Sequence, residues 1–126
     1  MARVTRRKDH GSKSGCMSER RNQHGVGYEP FEHHARRYDE WFDHERGRKI
    51  FPVEATCLRK TLYKLRRPWL EVGVGTGRFA YVLGIEEGID PSKEVLKYAR
   101  QRGIRVRHGF AEKLPYGDCI FGAVFM

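Results

Sequence analysis

The sequence predicts an α/β fold, an open parallel sheet with covering helices on its N-terminal side. Three observations carry this. From Trp69 onward, short apolar runs alternate with amphipathic stretches. The first of these runs, Trp69 to Val72, leads into a turn with glycines at alternate positions, Gly73, Gly75 and Gly77. The last, Ile120 to Phe125, is nearly all apolar, as a strand covered on both faces requires. Strand–helix alternation implies parallel strands joined by right-handed crossovers.

Taken in order, the elements begin at Pro30. Phe31, Ala35, Tyr38 and Phe42 recur at helical spacing beside Trp41, which predicts a helix over about Phe31 to Glu45, broken by Gly47. Pro52 suits the first turn of a second helix, where its missing N–H is harmless. Cys57, Leu58, Thr61, Leu62 and Leu65 form its stripe, and Pro68 stops it. Strand one is Trp69 to Val72, followed by a short helix over Phe79 to Leu83 and strand two over Ile85 to Ile89. Ser92 caps a third helix with Val95, Leu96 and Ala99 facing inward, and Gly103 ends it. Strand three, Ile104 to His108, has alternating arginines that suit an exposed edge, and strand four is Ile120 to Phe125.

The chemistry concentrates in the glycine turn and in Asp90, which follows Glu71 by nineteen residues in Gly88-Ile89-Asp90-Pro91-Ser92. A glycine turn after one strand and an acid at the end of the next is how a Rossmann-type fold holds a nucleoside, the acid taking the ribose hydroxyls. Dinucleotide folds show GxGxxG. Here the third glycine comes one position earlier, giving ExGxGxG. Asp90 could alternatively serve only as a helix cap, since Asp-Pro-Ser before a helix is ordinary capping chemistry.

EVGVGTGRF (Glu71 to Phe79), GIDPS (Gly88 to Ser92) and GFAEKLP (Gly109 to Pro115), in this order, resemble the class I S-adenosylmethionine-dependent methyltransferases with a methyltransferase type 11 domain. The likeness spans Trp69 to Met126, with a looser echo at Tyr38-Asp39-Glu40-Trp41-Phe42. It implies a Rossmann-like sheet in the order 3-2-1-4 and S-adenosyl-L-methionine as cofactor. It also implies methyl transfer to a small-molecule acceptor. On this basis Glu71 faces the cofactor's ammonium, and Gly73, Val74, Gly75, Thr76 and Gly77 pass beneath it. Asp90, with Pro91 and Ser92, receives the ribose. Ala111 and Glu112 meet the adenine edge, where Phe110 replaces the acid of many relatives. The helix opening near Arg78 would offer its N–H groups to the methionine carboxylate, while Arg78 itself either contacts that carboxylate or caps a surface. Tyr38 closes over the cofactor, whereas Trp41 reads as a packing residue. No catalytic residue is assigned. Alternatives are a noncatalytic fragment or cofactor-binding module, a nucleic-acid methyltransferase, and a nicotinamide or flavin protein.

Composition bounds the rest. The net charge is +9, and a third of the residues are charged. Residues 1–28 are basic, polar and almost free of apolar side chains, so a disordered tail is expected there, able at most to bind nucleic acid nonspecifically. Residues 29–67 form N-terminal helices and residues 68–126 the Rossmann-like cofactor domain. Because the family continues through three further strands, the chain reads as a fragment truncated after strand four. Cys16, Cys57 and Cys119 are scattered without a CxxC pair, which argues against a disulfide framework or zinc site. His33 and His34 read as surface residues. Without a spanning or signal-like apolar run, a cytoplasmic protein with no membrane partner is expected.

Overall fold

The computed structural model describes residues 29–126; the basic tail of residues 1–28 lies outside the described residues. Four parallel strands form one sheet in the order β3-β2-β1-β4. These are β1 (Trp69–Val72), β2 (Glu87–Asp90), β3 (Arg105–His108) and β4 (Ala123–Phe125). The helices are α1 (Glu29–Trp41), α2 (Glu45–Leu62), α3 (Arg78–Leu83) and α4 (Lys93–Gln101). This is the expected Rossmann-like α/β architecture, with β1 central. Leu70 pairs in register with Glu87 of β2 on one side and Val124 of β4 on the other.

All four residues of β1 are buried because the sheet is covered on both faces. Trp69 points into the larger cluster, with Leu62, Val74, Ala80, Leu83, Ile85, Leu96 and Ile104. Leu70 and Val72 point to the opposite face, with Ile89 and the partly buried Leu114, Tyr116 and Phe121. The alternation follows from the two-residue period of a strand. α4 is capped as expected: the Ser92 hydroxyl accepts from the Val95 amide, and Val95, Leu96 and Ala99 are buried. β3 is one edge strand of the described sheet, with three of its four residues exposed.

Several boundaries differ from the sequence expectation; β2, for one, begins at Glu87 rather than Ile85 and runs to Asp90. Gly47 does not break a helix. The chain turns at residues 42–44, where Phe42, Asp43 and His44 donate backbone hydrogen bonds to the three preceding carbonyls at Asp39, Glu40 and Trp41. Gly47 lies inside α2, so close to Trp41 and Phe42 that a Cβ would collide with their backbone. Pro52 does not open α2 but sits within it. Its ring removes one helical hydrogen bond, and its position on the exposed side lets the helix continue. α2 ends at Leu62 with Tyr63 as its cap, ahead of Pro68.

Strand four is also shorter than its apolar run. Only Ala123–Phe125 pair with β1, and Ile120 and Val124 are about half exposed, so it is not covered on both faces among the described residues. Gly122 donates to the Pro68 carbonyl and lies against the Arg66 backbone with no room for a side chain. That close approach, after a left-handed Cys119, sets where pairing starts.

Candidate functional site

The site forms where β1 and β2 end. The Gly73 and Val74 amides both donate to the Ile89 carbonyl, at 2.8 and 3.1 Å, fastening the turn to the end of β2. Gly73 has φ +77, which disfavours any side chain, and a Cβ there would project into open space. Asp90 joins the two strand ends. One carboxylate oxygen accepts from the Gly75 amide at 2.9 Å and the other from the Ser92 amide at 2.8 Å. Burial pushes the Asp90 carboxyl up, against the lowering effect of these two amides. Asp90 therefore rigidifies the turn through backbone groups, and Ser92, not Asp90, caps α4.

Part of the turn is engaged within the chain itself. The Gly75 amide is engaged by Asp90 and the Gly77 amide by the Val74 carbonyl at 2.9 Å. α3 has only six residues, and Arg78 at its start forms ion pairs with Asp39 and Asp43. The Gly75 and Gly77 amides are thus occupied within the turn, while Arg78 also lines the cavity beside it. Gly77 serves packing, since a Cβ there would come 2.9 Å from the Cβ of Ala99.

A cavity of about 460 Å³ opens beside the turn, lined by Glu71, Gly73, Tyr38, Phe42, Phe79 and Glu54 among others. Glu71 supplies its buried acid. Its Oε2 has no hydrogen-bond partner. Burial pushes the Glu71 carboxyl up to about 8, opposed by a hydrogen bond from the Ala80 amide and aided by the nearby Asp90 charge. Desolvation of this kind favours the neutral form until a cation arrives. Tyr38 stands across the turn, within 3.5 Å of the space a Gly75 side chain would fill. Its ring packs edge-on against Phe31 and Phe42.

The structure thus brings Glu71, Gly73, Gly75, Asp90 and Tyr38 together. Val74 packs in the core and, with the buried Thr76, also lines the cavity, whereas Gly77 packs against Ala99. The Pro91 carbonyl contacts a ring nitrogen of His108 at 2.9 Å. Ala111 and Glu112 are exposed in a short turn bridged by Phe110 and Lys113, outside the walls of the cavity. Trp41 lies outside those walls as well, edge-on to Phe42. Sequence reasoning missed Glu54 and Cys57 in the cavity wall, and above all Asp39. Asp39 is buried although charged. The available signal was an acid inside the apolar stripe, four residues after Ala35 and three before Phe42. Cys57 and Cys119 are free thiols. Among the described residues no cluster of His, Cys, Asp and Glu could hold a metal ion, and no helix is long and apolar enough to cross a membrane.

Comparison with known proteins adds an independent line. A family model described as a methyltransferase domain matches residues 70–126. An uncharacterized protein of Mycobacterium tuberculosis is 45% identical over 89 residues, covering 71% of this chain and 31% of that protein. One from Methanocaldococcus jannaschii is 43% identical over 88 residues, covering 70% of this chain and 41% of its own length. Among solved structures, a SAM-dependent methyltransferase of Thermotoga maritima, described as a possible histamine N-methyltransferase, is 38% identical. It superposes with a TM-score of 0.62 over 75% of this chain and 44% of its own. A Pyrococcus horikoshii protein is 26% identical, with a TM-score of 0.57 over 66% of this chain and 43% of its own. The chain therefore spans less than half the length of each of these relatives.

Proposed function

We propose that this chain, whose residues 70–126 match a methyltransferase domain model and which resembles a SAM-dependent methyltransferase of known structure, binds S-adenosylmethionine for methyl transfer to a small-molecule acceptor. The observation that carries the reading is Glu71, a buried carboxylate with an unpartnered oxygen on a cavity wall, next to a glycine that leaves open space. A buried acid with one oxygen unpartnered fits a ligand that brings a cation, and the amino group of the cofactor's methionine end is one. Asp90, at the adjacent strand end, has lone pairs left after its two backbone bonds and suits ribose hydroxyls. Tyr38 offers an aromatic edge and a hydroxyl on the opposite side.

When bound, the cofactor supplies an activated methyl group, so the protein's work is alignment and exclusion of water. Glu71 and Asp90 would anchor two ends of an extended ligand. Gly73 lets the backbone come close, and Tyr38 and Phe42 cover the site. No residue is assigned as a general base. The aromatic wall formed by Tyr38, Phe42 and Phe79 favours a small organic acceptor. We take residues 1–28 as a tail, 29–67 as covering helices and 68–126 as the cofactor domain, in a cytoplasmic protein.

The test is calorimetric titration with S-adenosylhomocysteine. Asp90→Ala should weaken binding by about 1–3 kcal/mol, the cost of unpairing buried polar groups. Unchanged affinity would remove Asp90 from the site.

A further inference from the structure

α1 carries Tyr38 over the cavity, yet little apolar surface holds it there. Its buried residues are Ala35 and Asp39, and Phe31, Tyr38 and Trp41 remain more than a third exposed. What fastens it is charge. Asp39 accepts from the Arg78 guanidinium at 2.9 and 3.2 Å and from Arg102 Nη2 at 2.9 Å. Arg78 also forks onto Asp43 at 2.7 and 3.0 Å. Arg102 Nη1 donates to the Thr76 carbonyl at 2.8 Å. A closed network thus joins three places: α1, the glycine turn with the start of α3, and the end of α4.

We propose that Asp39 is a positioning residue for cofactor binding: through Arg78 and Arg102 it latches α1 onto the glycine turn, and so places Tyr38 against Gly75 and over the cavity. The proposal rests on the cofactor reading above. Planar arginine forks give an ion pair direction as well as strength, so they fix the angle at which α1 docks. All four charged side chains take part, and Asp39, Arg78 and Arg102 are largely buried. Hydrogen bonds from Arg78, Arg102 and Thr76 outweigh desolvation and hold the Asp39 carboxyl at about 2. It is therefore charged throughout the neutral range. Removing its charge leaves Arg102 without a carboxylate partner and Arg78 with Asp43 alone.

The experiment compares the wild-type chain, Asp39→Asn and Arg102→Gln in two readouts. One is calorimetric affinity for S-adenosylhomocysteine, and the other is amide exchange followed by segment. Asp39→Asn should lower affinity at least tenfold and release protection in residues 31–42, leaving β1, β2 and α4 protected. Arg102→Gln should shift both readouts the same way by a smaller factor. Affinity within twofold of wild type in both variants, or retained protection of α1, would overturn the proposal. Loss of protection across the whole sheet in both variants would also overturn it, since Asp39 would then be a general stability residue. A wild-type chain that binds no S-adenosylhomocysteine would defeat the cofactor reading, and with it the role assigned to Asp39 in binding. The exchange experiment would still decide whether the latch holds α1.

Discussion

A carboxylate buried with one oxygen unpartnered and no cation beside it tends to keep its proton. Glu71 is such a group: burial raises its carboxyl from the ordinary 4.5 to about 8. The folded chain then holds a proton that the unfolded chain has released between those values, so stability falls as pH rises from about 4.5 to 8. At about 1.4 kcal/mol per tenfold difference in proton affinity, the loss amounts to a few kcal/mol. Urea denaturation across this range should show the decline in wild type and a flatter profile in Glu71→Gln. An equal decline in both would assign it to other groups. Glu71 and Asp90 were legible in the sequence because each stands at a strand end at a fixed distance from the glycines. Asp39 was not legible as a hub. Its partners Arg78 and Arg102 lie 39 and 63 residues away, a separation that no local pattern encodes.

At the scale of elements, local signals worked where the chain caps itself and failed where packing decides. Ser92 could be read as a cap because its partner, the Val95 amide, is three residues away. Ser92→Ala should cost about 1 kcal/mol in chemical denaturation; no change would deny the cap any energetic role. Gly47 and Pro52 looked like boundaries by propensity, yet both lie within α2. Gly47 is there because α2 crosses the Trp41–Phe42 backbone too closely for a side chain. Pro52 is tolerated at a cost, since the Arg48 carbonyl loses its helical donor. Pro52→Ala should restore that bond and stabilise the chain by about 1–3 kcal/mol, against some gain in unfolded-state entropy. A fall in melting temperature would show that the ring makes contacts worth more than the helical bond. The short β4 was misread for a similar reason. Its apolar run is six residues long, but the approach of Gly122 to Arg66 delays pairing until Ala123.

Across the whole molecule, the order β3-β2-β1-β4 places the site at the end of β1, between the crossover to β2 on one side and β4 on the other. Ligands of open α/β sheets bind at such a topological switch point. The strand order was legible because alternating strands and helices, joined by right-handed crossovers, leave few arrangements. The way α1 lies over the turn was not legible, because long-range ion pairs fix it. The central claim is that the glycine turn, Glu71 and Asp90 form a site for S-adenosylmethionine rather than for a nicotinamide dinucleotide. Its most direct test is a pair of calorimetric titrations of the same chain, one with S-adenosylhomocysteine and one with NAD. The expected result is saturable one-to-one binding of S-adenosylhomocysteine, abolished or strongly weakened in Glu71→Gln, and no measurable heat from NAD. Binding of NAD, or S-adenosylhomocysteine affinity indifferent to Glu71→Gln, would contradict it.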